Sequence, residues 1–179
     1  LAVQHEGYRR VYLGSWPSPP NRLGLNLSKA LSQTYARIGA MSWDADDVEL
    51  VSLAWLKPHE QIKIRNRDKL LDMTIRWGGF TKPLLVDSKS GAILDGHHRH
   101  SIAIELELKR VPAILIDYLT DDSISVDVWP ASGLDGLTKE EVISMSLSGE
   151  LFPPKTSRHT TADDLPPIHV LLDVLEQDS

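Results

Sequence analysis

The stretch KPLLVDSKSGAILDGHHRHSIAIELEL, residues 82–108, constrains the fold most, because it must change element type several times with almost no connecting residues. KPLLVD and AILD are short apolar runs separated by SKSG, a turn composition, and together they predict two strands joined in a hairpin. Asp95-Gly96 closes the second run, and HRHSIAIELEL follows with Ile102, Ile104, Leu106 and Leu108 partly buried. That alternation also suits a strand, but a chain leaving an Asp-Gly turn directly after a strand is expected to continue as a helix.

The flanking sequence supplies the remaining elements of a mixed α/β fold. VELVSLAWL, residues 48–56, predicts a strand ended by Pro58, and IRNRDKLLDMTIRW, residues 64–77, predicts a helix stopped by Gly78 and Gly79. VPAILIDYL at 111–119 is the most strand-like run, and SISVDVW at 123–129 alternates as another. TKEEVISMSLSG carries a capping box, Thr138 with Glu141, and ends at Gly149. FPPKTSRHTT, 152–161, reads as a proline-rich loop. Three regions result: an irregular N-terminal arm at 1–45 with a short helix near LSKALSQTYARIG, a domain at 46–160, and an acidic helical tail at 161–179. No internal repeat is visible.

Composition narrows the setting. The 179 residues suit one domain with an appendage, and no apolar run approaches the roughly 20 residues that cross a bilayer, so a soluble, by default cytoplasmic, chain without a membrane partner is expected. A net charge of −6 gives no global attraction to nucleic acid. With no cysteine, disulfides, thiolate metal sites and thiol catalysis are excluded.

Three of the seven histidines fall within residues 97–100, at the start of the helix that follows Asp95-Gly96. A helix entered in this way directs its first free N–H groups at whatever lies above the turn, which suits an anion. Gly96 lets backbone approach a ligand, while His97, His98, Arg99 and His100 add donors for phosphate oxygens. Asp95 is repelled by phosphate unless a cation lies between them or it takes a proton, which suggests Mg²⁺ or general-base chemistry. A histidine-rich surface helix start capped by Asp95 fits the same spacing. Zinc is a further alternative, although only His97 and His100 share a helix face and no His-Glu-x-x-His spacing occurs.

LKPHE at 56–60, ILDGHHRHSIAIEL at 93–106, VPAILIDYL at 111–119, VDVWP at 126–130 and FPPKTSRH at 152–159 together resemble, in order, the landmarks of the free L-serine kinases in the ParB/sulfiredoxin superfamily. The resemblance spans residues 48–160, roughly two-thirds of the chain. It implies a ParB/sulfiredoxin-like nucleotide-binding domain that phosphorylates free L-serine to O-phospho-L-serine with Mg²⁺ and with ATP or ADP as donor.

On the matching positions, the resemblance implies that Glu60 is the catalytic base, with His59 shaping its loop. Asp95 would hold Mg²⁺ or support the transfer. His98 and Arg99 match a phosphate-binding pair, and His97 stands at a variable position. Trp129 would wall the substrate pocket, Arg158 would grip the substrate carboxylate, and Ser157 and His159 would add single hydrogen bonds. A solvated Glu60, a core-packed Trp129 and an exposed basic loop are the structural alternatives. Only about 27 residues separate Trp129 from Ser157, where the best-known members carry a long additional segment, so less wall surrounds the substrate.

Other branches of the superfamily fit less well. Sulfiredoxins need the cysteine that this chain lacks, and ParB proteins add a helix-turn-helix for which no candidate follows here. The strongest alternative is a nucleotide-binding regulatory module, without catalysis or with CTP hydrolysis, in which Glu60 need not serve as a base.

Overall fold

The computed structural model describes residues 43–177, so nearly all of the expected N-terminal arm, with its short helix, lies outside the described residues. A four-stranded mixed sheet forms the centre, in the order β1 (Val48–Ser52), β5 (Arg110–Ile116), β3 (Leu84–Asp87), β4 (Ile93–Asp95). β5 runs antiparallel to β1 and parallel to β3, and β3 and β4 form the expected antiparallel hairpin. β3 is buried at every position, and β5 at most, because both are interior strands covered on two faces.

Helix α1 (Ile64–Trp77) packs against α2 (His97–Glu105), and Arg67 on α1 reaches Glu105 on α2 at 2.9 Å. α1 occupies the predicted span and stops at Gly78, whose backbone is left-handed. Helix α3 (Lys139–Ser148) begins with the expected reciprocal cap: the Thr138 hydroxyl accepts from Glu141 N at 3.2 Å, and Glu141 accepts from Thr138 N at 2.8 Å. Among the described residues no helix is long and apolar enough to cross a membrane.

Three expectations are corrected. VELVSLAWL is not one strand: the chain leaves the sheet at Leu53 for a single 3-10 turn, Leu53–Trp55. FPPKTSRHTT is not all loop, since β7 (Ser157–Thr161) pairs antiparallel with β6 (Ile124–Val128) in a separate two-stranded ribbon. The tail is mostly without regular structure. β8 (Val170–Leu171) pairs with β2 (Gly79–Phe80), and helix is confined to one turn, α4 (Leu172–Leu175). Pro166 and Pro167 bar a helix there, and Ile168, Val170 and Leu175 are buried in the main core.

Two histidines, His59 and His100, are buried as well, with 0% and 6% of their surface exposed. Burial disfavours the imidazolium and lowers both from the usual 6.5 to about 4. Above pH 6.5 the rings are neutral in both folded and unfolded chains. Between 6.5 and about 4 the unfolded chain binds protons that the folded one refuses, so stability falls as pH falls. Across that window the loss is on the order of 3 kcal/mol per ring. Urea unfolding followed at pH 7.5, 6.0 and 5.0 should show a midpoint that drops steadily, with an uptake of about two protons from these rings near pH 5.

Candidate functional site

The hairpin and α2 form one end of a cleft of about 440 Å³. β4 delivers Asp95, the chain turns through Gly96 at φ 109°, and His97, His98 and Arg99 form the first turn of α2. The turn needs glycine twice over: the backbone is left-handed, and a Cβ at Gly96 would lie 2.7 Å from Leu84 Cγ. No side chain caps this helix end, so Asp95 is not the cap that the spacing also allowed. Its Oδ2 instead accepts from Arg99 Nη2 at 2.8 Å. Arg99 Nε is buried without a partner, an orphaned donor in a wall of the cleft.

Glu60 faces this turn from the loop before α1. Its Oε1 accepts from Lys155 N at 2.8 Å, and its Oε2 accepts from Thr156 N at 3.0 Å, Ser157 N at 2.7 Å and the Ser157 hydroxyl at 2.8 Å. Because that hydroxyl donates to Glu60, it is not available to donate to a substrate carboxylate. The Ser157 oxygen in turn pairs with His59 Nε2 at 2.8 Å, so a wholly buried ring, a hydroxyl and a carboxylate stand in one line. Oε2 is saturated by three donors, whereas Oε1 keeps a lone pair.

β7 brings the remaining residues. Pairing with β6 sets Arg158 opposite Asp127 and His159 opposite Val126, and Trp129 follows directly after β6. Trp129 Nε1 donates to the Ser157 carbonyl at 3.1 Å, while the Lys155 and Arg158 cations lie 4.9 and 5.5 Å from its ring centre. The indole is therefore held as a half-exposed wall and not as core packing. His159 Nε2 meets the Tyr118 hydroxyl at 2.8 Å.

Glu60, Asp95, Gly96, His97, His98, Arg99, Trp129, Ser157, Arg158 and His159 all line the cleft. His100 does not. Its buried ring faces a smaller cavity of about 180 Å³ on the other side of His97, so it is removed from the phosphate set. Gln61, Asn66, Leu70 and Leu94 complete the lining; Asn66 and Leu70, one helical turn apart on α1, were findable only once α1 was known to face the turn.

The histidines at the cleft are neutral at physiological pH. Burial lowers His159 to about 3 and His97 well below its usual value, and lowers His98 as well. His97 Nε2 accepts from His59 N, and His98 Nε2 accepts from Lys63 N, both at 3.3 Å, which leaves the proton of each ring on Nδ1. Fixed positive charge in the lining comes from Arg99 and Arg158, with neutral N–H donors beside them. Among the described residues no group of three or more histidine, aspartate or glutamate side chains comes together as a metal cage, so the zinc alternative gains no support.

No protein-family model matches the chain. It is 35% identical over 82 residues to a ParB-like protein of Sulfolobus acidocaldarius, a match covering 46% of this chain and 40% of that protein. Over 87 residues it is 33% identical to the ADP-dependent L-serine kinase of Thermococcus kodakarensis, covering 46% and 36% of the two chains. To the ATP-dependent L-serine kinase of Staphylothermus marinus it is 31% identical over 94 residues, covering 50% and 37%. The matches thus span well under half the length of these relatives. In three dimensions the chain superposes on a free serine kinase in complex with AMP with a TM-score of 0.66 at 20% identity, covering 78% of this chain and 97% of the other. By sequence the chain is a relative of the L-serine kinases and ParB-like proteins, and by fold it is a ParB/sulfiredoxin-like α/β domain.

Proposed function

We propose that this chain transfers a phosphoryl group from ATP or ADP to the hydroxyl of free L-serine, giving O-phospho-L-serine. The observation that carries the reading is the meeting, in one cleft, of an uncapped helix start suited to phosphate with the Glu60 carboxylate and the Arg158–Trp129 pair. The relatives named as ADP- and ATP-dependent L-serine kinases support the same chemistry.

In this reading the donor's phosphates rest on the leading N–H groups of α2, the Arg99 guanidinium at the cleft wall and the Nδ1–H of His98. The serine hydroxyl attacks the terminal phosphorus. An O–P bond forms to serine, the bond to the leaving ADP or AMP oxygen breaks, and the hydroxyl proton passes to Glu60 Oε1, the carboxylate atom with a spare lone pair. The acceptor carboxylate pairs with Arg158, which Trp129 already orients through its ring. His159 adds a donor, and the Trp129 face limits what hangs from the β-carbon.

Magnesium fits as a site completed by the nucleotide. Asp95 is 58% exposed and only Oδ2 is engaged, so its other oxygen can bind the ion together with phosphate oxygens, the usual arrangement for Mg²⁺. The ion would neutralise phosphate charge beside that carboxylate.

A nucleotide-binding module without catalysis is favoured by one observation, the four donors on Glu60, which suit an anchor as well as a base. Incubation with Mg²⁺, ATP or ADP and a panel of hydroxy amino acids decides between the readings: O-phosphoserine is expected, and nucleotide binding without any phosphorylated amino acid would leave only the module. Glu60→Gln should lower turnover by roughly 10²- to 10⁴-fold with nucleotide affinity nearly unchanged, and wild-type turnover in the variant would remove the base. Arg99→Ala should weaken nucleotide binding by about 1.5–3 kcal/mol in calorimetry while circular dichroism stays native. Arg158→Ala should raise the KM for serine about 10- to 100-fold and spare nucleotide affinity; the reverse pattern would move Arg158 to the donor side.

A further inference from the structure

Tyr118 was assigned no role by sequence, yet it is the largest fully buried side chain among the described residues and its hydroxyl ends on a residue of the cleft. It stands two residues beyond β5, pinned at both backbone groups. Its N–H donates to Asp87 Oδ1 at 3.1 Å, and its carbonyl accepts from Lys139 Nζ at 2.9 Å. Asp87 is itself the last residue of β3, paired with Ile116 in the sheet. Lys139 opens α3, and its ammonium also lies 5.2 Å from the Tyr118 ring centre. Sheet and helix therefore fix the phenol oxygen, and the partner of that oxygen is His159 Nε2 at 2.8 Å.

The direction of this bond follows from the inventory of donors and acceptors. A buried phenol hydroxyl needs an acceptor, and among the described residues His159 Nε2 is the one within reach. Tyr118 therefore donates, Nε2 accepts, and the single proton of the neutral imidazole sits on Nδ1. His159 Nδ1 has no protein partner among the described residues, nor is it one of the sealed unpaired atoms, so it is open at the cleft that His159 lines.

We propose that Tyr118 is a positioning residue: its hydroxyl locks His159 in the Nδ1–H tautomer and so presents a fixed neutral donor to an anionic group in the cleft. With the opposite tautomer Nδ1 would carry a lone pair and repel a carboxylate or phosphoryl oxygen. The buried phenol stays protonated, since burial raises it further above its ordinary value, and so the donor persists across the physiological range. That the anion is the carboxylate of serine rests on the kinase reading above; the tautomer does not.

Long-range ¹H–¹⁵N spectra of the histidine-labelled wild-type protein, with His159 identified by loss of its signals in His159→Gln, should show Nδ1 protonated and Nε2 as a bare acceptor at pH 7.5. Tyr118→Phe keeps the ring and should move His159 to a mixture of tautomers or to Nε2–H. An Nε2–H ring in the wild type overturns the proposal without any variant, as does an unchanged Nδ1–H ring in folded Tyr118→Phe. In the kinase assay Tyr118→Phe should raise the KM for serine about 5- to 20-fold with kcat within about threefold, and a fall in kcat at constant KM would overturn the positioning role. A locked Nδ1–H ring in a protein that phosphorylates no amino acid would uphold the tautomer assignment and remove the kinase reading.

Discussion

Much of the site depends on one carboxylate. Glu60 accepts three consecutive backbone N–H groups, those of residues 155–157, from a segment 95–97 positions away in the chain. Hydrogen bonds to a charged acceptor contribute about 1.5–3 kcal/mol each, more than neutral pairs, and three of them compensate for what the β6–β7 ribbon lacks. A two-stranded ribbon is marginal alone. The ribbon carries Ser157, Arg158 and His159, so this wall of the cleft exists as a surface because Glu60 holds its first residue in place. The Ser157 hydroxyl and His59 Nε2 line up behind the same carboxylate, which concentrates donors on one anion and keeps its negative charge tolerable in a half-buried setting.

The histidines work by staying neutral. Each lies close to another, as with His59 and His97, whose ring centres are 4.6 Å apart, and adjacent imidazoliums would repel. Burial removes the charge and leaves shaped donors and acceptors whose protons are assigned by neighbouring backbone and phenol groups. Charge comes from guanidinium groups, which keep it at any physiological pH.

The strand-Asp-Gly-helix unit, α1 and the capping box of α3 were legible in the sequence because each rests on local chemistry: a turn composition, a helical apolar face, a side chain reaching three residues on. β7 was not. SRHTT has no apolar alternation, and its extended form comes from pairing with β6 and from the Glu60 anchor, both remote in sequence. The end of β1 at Ser52 was hidden for a related reason: Leu53 N still bonds Lys109 O in the ladder register, but Leu56 N then folds back to Leu53 O and closes a 3-10 turn. Of the site, ten of the cleft-lining residues were named from the turn and the family resemblance, whereas the lining by Gln61, Asn66, Leu70 and Leu94, the separation of His97 from His100, the commitment of the Ser157 hydroxyl and the burial of His59 depend on which face of a short element meets the core.

Among the described residues the ribbon shares no continuous ladder with the four-stranded sheet. One isolated bridge, Glu60 to Phe152, the donors on Glu60, the His59–Ser157 bond and the Tyr118–His159 pair are among its polar fastenings to the sheet side. The cleft is accordingly a jaw with a stiff half and a riveted half. The Asp95-Gly96 turn is continuous with the most buried strands, so its geometry cannot drift without disturbing the core. The opposite half can change its set by exchanging a few rivets while every strand pair stays closed. Evolution can retune what the riveted half grips by altering those few residues, and the stiff half will go on presenting the same uncapped helix start.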